Sequence, residues 1–238
     1  MRLILPSCRA SLTAADLLLI CSILSPDQTE TGALERFLTD PESRDELLDS
    51  DALFHYLMEQ ADPLSVSPRL YFYVMARRAL KRASLDDRET ADYIASMLAG
   101  QVEQSNHSHP FVSPGGRRSA FFYAVDAFQH IAAAAPTERF FLIVDLANIS
   151  LFVTGIYPGH IEHRARYRGA PSIDYYEQIG QTQFRAACDH RLASEFQLQD
   201  IFERLGGEFH RARCALNHLG ETLLFTGQVP PPPELPQN

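Results

Sequence analysis

Lysine is nearly missing from this chain. Of its 21 basic residues, only Lys81 is not arginine. Schiff-base or phosphate-loop lysine chemistry would have to use that one side chain, although a GC-rich genome alone produces the same bias. Paired cysteines are missing too. Cys8, Cys21, Cys188 and Cys214 form no CxxC pair. The GxSxG, GxxxxGK[ST], GxGxxG, HExxH and EF-hand patterns are also absent, which removes the standard hydrolase, nucleotide, zinc-protease and calcium signatures. Enzymes built from scattered residues stay open. Positive charge is short as well: the net charge is −9 and the pI near 5.4. That balance opposes nonspecific nucleic-acid binding, which needs clustered positive charge. The N-terminus lacks a basic region followed by an apolar run and a cleavage site. Four unpaired cysteines without such a signal fit a cytoplasmic protein.

Strand signals are missing as well. No convincing period-2 alternation and no Asn-Gly or Asp-Gly hairpin occurs. What is present is ordinary globular composition, 45% hydrophobic and 21% charged, with helix starts that are easy to see. Thr13 precedes AADLLLICSIL with Asp16 in the capping-box position. Asp40-Pro41 and Ser67-Pro68 are cap-plus-proline starts, and Ser84 precedes an acid-rich first turn. The pattern predicts helices over 13–24, 30–39, 41–49, 51–61, 68–83, 86–104, 118–134, 137–154, 160–168, 172–189 and 194–226. The last has a weak point at Gly206-Gly207.

The expected fold class is therefore all-α: about ten helices in two packed helical halves with no significant sheet. The halves are 1–104 and 118–226, joined by the Ser/Pro/Gly-rich linker 105–117 and followed by a proline-rich tail, 227–238. Residues 1–110 carry 17 Asp/Glu against 10 Lys/Arg, and residues 111–238 carry 13 against 11. The second half is thus the better host for an anion. The run FFLIVDLANISLFVTGIY, 140–157, approaches membrane-spanning length. Asp145 and Asn148 in its middle argue for a buried core helix and against a membrane partner.

Three constellations carry chemistry. The first is a helix hairpin about Pro136. Asp126 and His130 share one helix face, and Asp145 and Asn148 sit at i, i+3 on the next helix. At ~1.5 Å per residue both aspartates lie ~14–15 Å from the turn. An antiparallel pair would bring them level as a buried polar cluster, either a metal or acid/base site or a satisfied polar network. The metal content of such a site is unknown. The second is HRARCALNH, where His210, Cys214 and His218 form a stripe opposite the apolar face. The outer two are ~12 Å apart along the axis, too far to share one ion easily. This stripe faces solvent, another helix or another subunit.

The third is GIYPGHIEHRARYRGAPSIDYYEQIG, 155–180. His160, Arg164 and Arg168 line one edge, and Tyr157, Tyr167, Tyr175 and Tyr176 surround it. Arginine forks beside tyrosines suit a carboxylate, a phosphate or a protein hot spot. The competing expectation is that the arginines cover apolar surface and pair with Glu162, Asp174 or Glu177.

The leading functional expectation is a non-enzymatic cytoplasmic protein. It would bind a protein partner or small anionic ligand through residues 157–185, using Tyr157, His160, Arg164, Arg168, Tyr175 and Tyr176. A metal-assisted hydrolase on the 118–154 hairpin is the alternative. A structural subunit of a larger assembly, a homo-oligomer included, is the third reading. No cofactor is identified.

Overall fold

Helix starts in this protein are built by short polar side chains. Asp16 accepts from Thr13 N and Thr13 Oγ1, both at 2.8 Å, while Thr13 Oγ1 accepts from Asp16 N at 3.1 Å. Asp40 accepts from Ser43 N at 2.9 Å and Ser67 from Leu70 N at 3.2 Å, each followed by proline at the first helical position. These bonds satisfy backbone donors that a helix leaves open at its N-terminus.

The computed structural model describes residues 3–24, 40–59, 66–105 and 124–225. The helix expected at 30–39, nearly all of the 105–117 linker and the 227–238 tail lie outside the described residues. Among the described residues there are twelve α-helices, a single 3-10 turn at Arg9–Ser11 and no strand, so the fold is all-α. The helices are α1 (Ala14–Leu24), α2 (Pro41–Leu48), α3 (Asp51–Glu59), α4 (Pro68–Arg82), α5 (Arg88–Ser105), α6 (Ala124–Ala133), α7 (Pro136–Ile156), α8 (Pro158–Arg168), α9 (Ile173–Cys188), α10 (Arg191–Glu195), α11 (Gln199–Gly207) and α12 (Phe209–Phe225).

Two boundaries differ from the sequence reading, for one reason. Ser84 does not open α5. It sits at φ 62° and closes α4, with Leu85 N bonded to Leu80 O and Ser84 N to Lys81 O. Asp87 caps α5 instead, accepting from Thr90 N at 2.7 Å. The expected 194–226 helix is α10, α11 and α12. Its first break is at Gln197, φ 57°, with Leu198 N bonded to Ala193 O and Gln197 N to Ser194 O. Both stops are Schellman motifs, with a left-handed residue followed by a buried leucine. Neither uses the glycine that marks such a stop in sequence. The break between α11 and α12 falls at Glu208, next to Gly206-Gly207.

The framework is set by α7. Every residue from Leu146 to Ile156 is buried, so this stretch is apolar because it meets protein on all sides. By length and composition alone it could cross a membrane; in the fold it is a core helix. Its buried hydroxyls are satisfied within it: Ser150 Oγ donates to Leu146 O at 2.8 Å and Thr154 Oγ1 to Ser150 O at 2.6 Å. Packed on it are α9 and α12, while α4 pairs with both α5 and α12. One buried apolar cluster runs from Cys8 to Leu219 and joins these layers. The crossing of α9 and α12 depends on Gly180, where a Cβ would stand 2.2 Å from Phe209 Cε2.

Candidate functional site

The corner after α7 is made by a proline and ended by a glycine. Tyr157 leaves the helical region at φ −122°, and Pro158 starts α8. Gly169, at φ 61°, stops it and donates its N–H to Arg164 O. Within α8, His160, Arg164 and Arg168 recur every four residues and share a stripe. Burial first, then the positive charges of Arg164, His163 and Arg168, push the His160 imidazole below its ordinary value. His160 Nε2 is enclosed and has no hydrogen-bond partner among the described residues. His163, which the sequence reading did not single out, joins the cluster and packs its ring 4.7 Å from that of Tyr167. Arg166 and Arg168 are exposed, and no ion pair engages either among the described residues.

The tyrosines divide into two kinds. Tyr167 and Tyr175 are exposed, at 68% and 36%. Tyr157 and Tyr176 are buried and belong to the core, which corrects the expectation that all of them offer surface. Tyr157 packs edge-on against Phe152 at 5.6 Å, and burial raises its hydroxyl above the ordinary value. Tyr176 is raised by burial too, while Arg164 pulls it down. So Arg164 stands close enough to Tyr176 to act on it electrostatically, and Tyr176 in turn packs edge-on to Tyr175 at 5.7 Å.

The decisive acid is Glu177. The sequence offers it as a counter-ion for the α8 arginines, but the fold turns it toward α12. Glu177 Oε2 accepts from Arg213 Nε at 2.9 Å, and Glu177 Oε1 lies 3.1 Å from His210 Nδ1. Glu162 and Asp174 are exposed and, among the described residues, make no ion pair with an α8 arginine. None of these three acids pairs with exposed Arg166 or Arg168 among the described residues.

Sequence reasoning missed how α12 is held. Asn217 Nδ2 donates to Thr154 O and to Gly155 O, both at 2.8 Å, and its Oδ1 accepts from Arg213 at 2.9 Å. Asn217 thus satisfies two carbonyls at the end of α7, which otherwise lack helical partners, and fixes α12 beside the corner. Its place on a polar edge of α12 was the only signal. In the stripe of His210, Cys214 and His218, His210 meets α9 through Glu177 while remaining exposed to solvent.

The hairpin expectation needs correction. His130 and Asp145 are exposed, so they do not form a buried polar cluster. The apolar side of this pair of helices is taken by Ala127 and Ile131, which pack toward Leu146 and Ile179 and leave the polar side chains outside. The surrounding protein raises the Asp145 carboxyl above its usual range, although the side chain still opens to solvent. Asn148 alone of the described members is buried; its Oδ1 accepts from Tyr93 Oη at 2.8 Å. The helix carries Asp126, whose side chain lies outside the described residues. No group of three or more His, Cys, Asp or Glu side chains suited to a metal ion occurs among the described residues. No family model, no curated protein and no solved structure matches this chain.

Proposed function

We propose that this protein is a binding protein whose 157–185 corner takes an anionic group. That group is the carboxylates of an acidic segment of a partner protein, or a small anion of the same chemistry. One observation carries the reading. His160, His163, Arg164 and Arg168 are gathered on one short helix, Arg166 and Arg168 are exposed with no ion pair among the described residues, and Glu177, one of the three acids the sequence offers them, is committed to His210 and Arg213. A positive cluster in an acidic protein raises its own free energy by self-repulsion, and an incoming anion relieves it. Exposed Tyr167 and Tyr175 flank the stripe and supply apolar contact with little loss of side-chain entropy. Arginine offers two parallel donors to a carboxylate or phosphate, which a lysine would not.

Calorimetric titration of a glutamate-rich peptide and of inorganic phosphate, each into the wild type and into the Arg164→Ala/Arg168→Ala double variant, tests this. The account expects saturable binding to the wild type and loss of about tenfold or more in the variant, on the order of two charge-assisted hydrogen bonds, at unchanged melting temperature. Binding of the peptide with no response to phosphate would identify a partner segment. Equal affinity of wild type and variant would remove this surface from consideration.

A further inference from the structure

On the other side of Glu177, three side chains stand in a line. Cys214 Sγ lies 3.6 Å from His210 Nε2, and His210 Nδ1 lies 3.1 and 3.2 Å from the two oxygens of Glu177. The ionised carboxylate only accepts, so Nδ1 carries the imidazole hydrogen and donates it to Glu177. That leaves the Nε2 lone pair facing the thiol. A nucleophile, a base within reach of it and a third group that orients the base make the arrangement that activates a side chain. His210 and Cys214 meet because they are one helical turn apart on α12. Glu177 is fixed from α9, with Arg213 Nε on its second oxygen at 2.9 Å. The site is reachable: the His210 side chain is 64% exposed and Cys214 is half-buried.

The reaction class follows from what surrounds the sulfur. Acyl transfer needs donors aimed at a developing oxyanion. Cys214 lies inside α12, where the neighbouring backbone N–H groups are spent on helical hydrogen bonds. Thiol–disulfide exchange develops no oxyanion and needs only a thiolate, access and a proton for the leaving sulfur. We infer that Cys214, with His210 as its base and Glu177 as a positioning residue, is a site of mixed-disulfide formation with small disulfides.

In the step, His210 Nε2 takes the proton of the Cys214 thiol. The thiolate attacks one sulfur of R–S–S–R, and a Cys214–S–S–R bond forms as the original S–S bond breaks. The electron pair leaves on R–S⁻, which takes the proton back from the imidazolium as R–SH. The disulfide is the oxidant, and one of its sulfurs is reduced to the thiol.

The chain carries its own control. Cys188 is also half-buried, but burial and the negative charges of Glu203, Asp189 and Asp200 raise its thiol. The groups around the Cys214–His210 pair are different. Glu177 comes from α9, Arg213 and His218 from α12 itself, with His218 Nδ1 2.9 Å from Cys214 O. Near Asn217, α7 contributes the carbonyls of Thr154 and Gly155.

The test is incubation of the full chain with oxidised glutathione across a pH series, with each adduct located by peptide mass mapping. Cys214 is expected to react at pH 7 about tenfold faster than Cys188. His210→Gln should slow it by about tenfold and move the midpoint of its rate–pH curve upward. Glu177→Gln should move that midpoint the same way by less. Because Glu177→Gln also releases Arg213, its melting temperature is recorded alongside; the wild-type comparison and the exposed His210 variant decide without it. Cys214 reacting no faster than Cys188, or at a rate indifferent to His210→Gln, would overturn the inference.

Discussion

At the scale of single residues, neighbours decide what a side chain does. His160 has ordinary chemistry, but burial and three positive neighbours push its imidazole down. The unfolded chain then binds this proton more readily than the folded one just below pH 6.5. The His160 contribution to stability is therefore fully present above that pH and declines as pH falls through it toward the lower folded value. A denaturation series from pH 7.5 to pH 5 should show this loss, and His160→Gln should flatten it. A curve unchanged by that substitution would assign the dependence elsewhere. Tyr93 and Asn148 show the opposite case, a buried pair that satisfies itself at 2.8 Å. Tyr93→Phe leaves the Asn148 oxygen without its donor and should cost about 1–3 kcal/mol, read from chemical denaturation. Replacing both partners by apolar side chains should recover part of that loss.

The residues of the α8 stripe were legible in the sequence because their spacing alone places them on one face. The role of Glu177 was not. It faces α8 or α12 according to how α9 rotates, and that rotation is set by Gly180 against Phe209, a contact between residues 29 positions apart. The hairpin failed for a related reason. Level height on two antiparallel helices does not fix which side faces inward, and at Asp145 and His130 it is the apolar neighbours that claim the interior.

At the scale of elements, local signals served well where the chemistry is local. The caps at Thr13/Asp16, Asp40 and Ser67 were read from sequence and are present. Asp16 also accepts from Ser67 N at 3.2 Å, so one carboxylate holds the starts of two helices together. Asp16→Ala should cost about 1–2 kcal/mol, and Asp16→Asn should recover much of it; thermal melts of the two variants give the comparison. The stops at Ser84 and Gln197 were not readable, because each left-handed residue is held there by the burial of the following leucine, a tertiary effect. Gly180→Ala is the sharpest packing prediction. Its Cβ meets a buried aromatic ring at 2.2 Å, and overpacking of this kind costs roughly 1–3 kcal/mol. Phe209→Leu should relieve part of it in the double variant.

At the scale of the molecule, the fold supports the corner from behind. The central helix α7 is buried on all sides over its second half and delivers Tyr157 and Pro158 to the surface edge of the core. Asn217 ties the last carbonyls of α7 to α12. Behind this frame, α4 and α12 pack together and the buried cluster is continuous from Cys8 to Leu219. Backbone and aromatic signals should therefore be lost together in one thermal transition. Two separated transitions would show that the shared core is not cooperative. Charge supports the same picture: in a net −9 protein, Arg166 and Arg168 lie exposed beside the turn and the exposed tyrosines, with no ion pair to either among the described residues.

The measurement closest to the central claim is the pH titration of the His160 ring by nuclear magnetic resonance, with and without a saturating glutamate-rich peptide. The account predicts a midpoint below the ordinary histidine value in the unliganded protein, rising when the peptide binds because its carboxylates offset Arg164, His163 and Arg168. Binding should correspondingly tighten as pH falls below about 6.5. A midpoint that the peptide leaves unmoved would contradict the account, because the positive stripe would then not be where the anion sits.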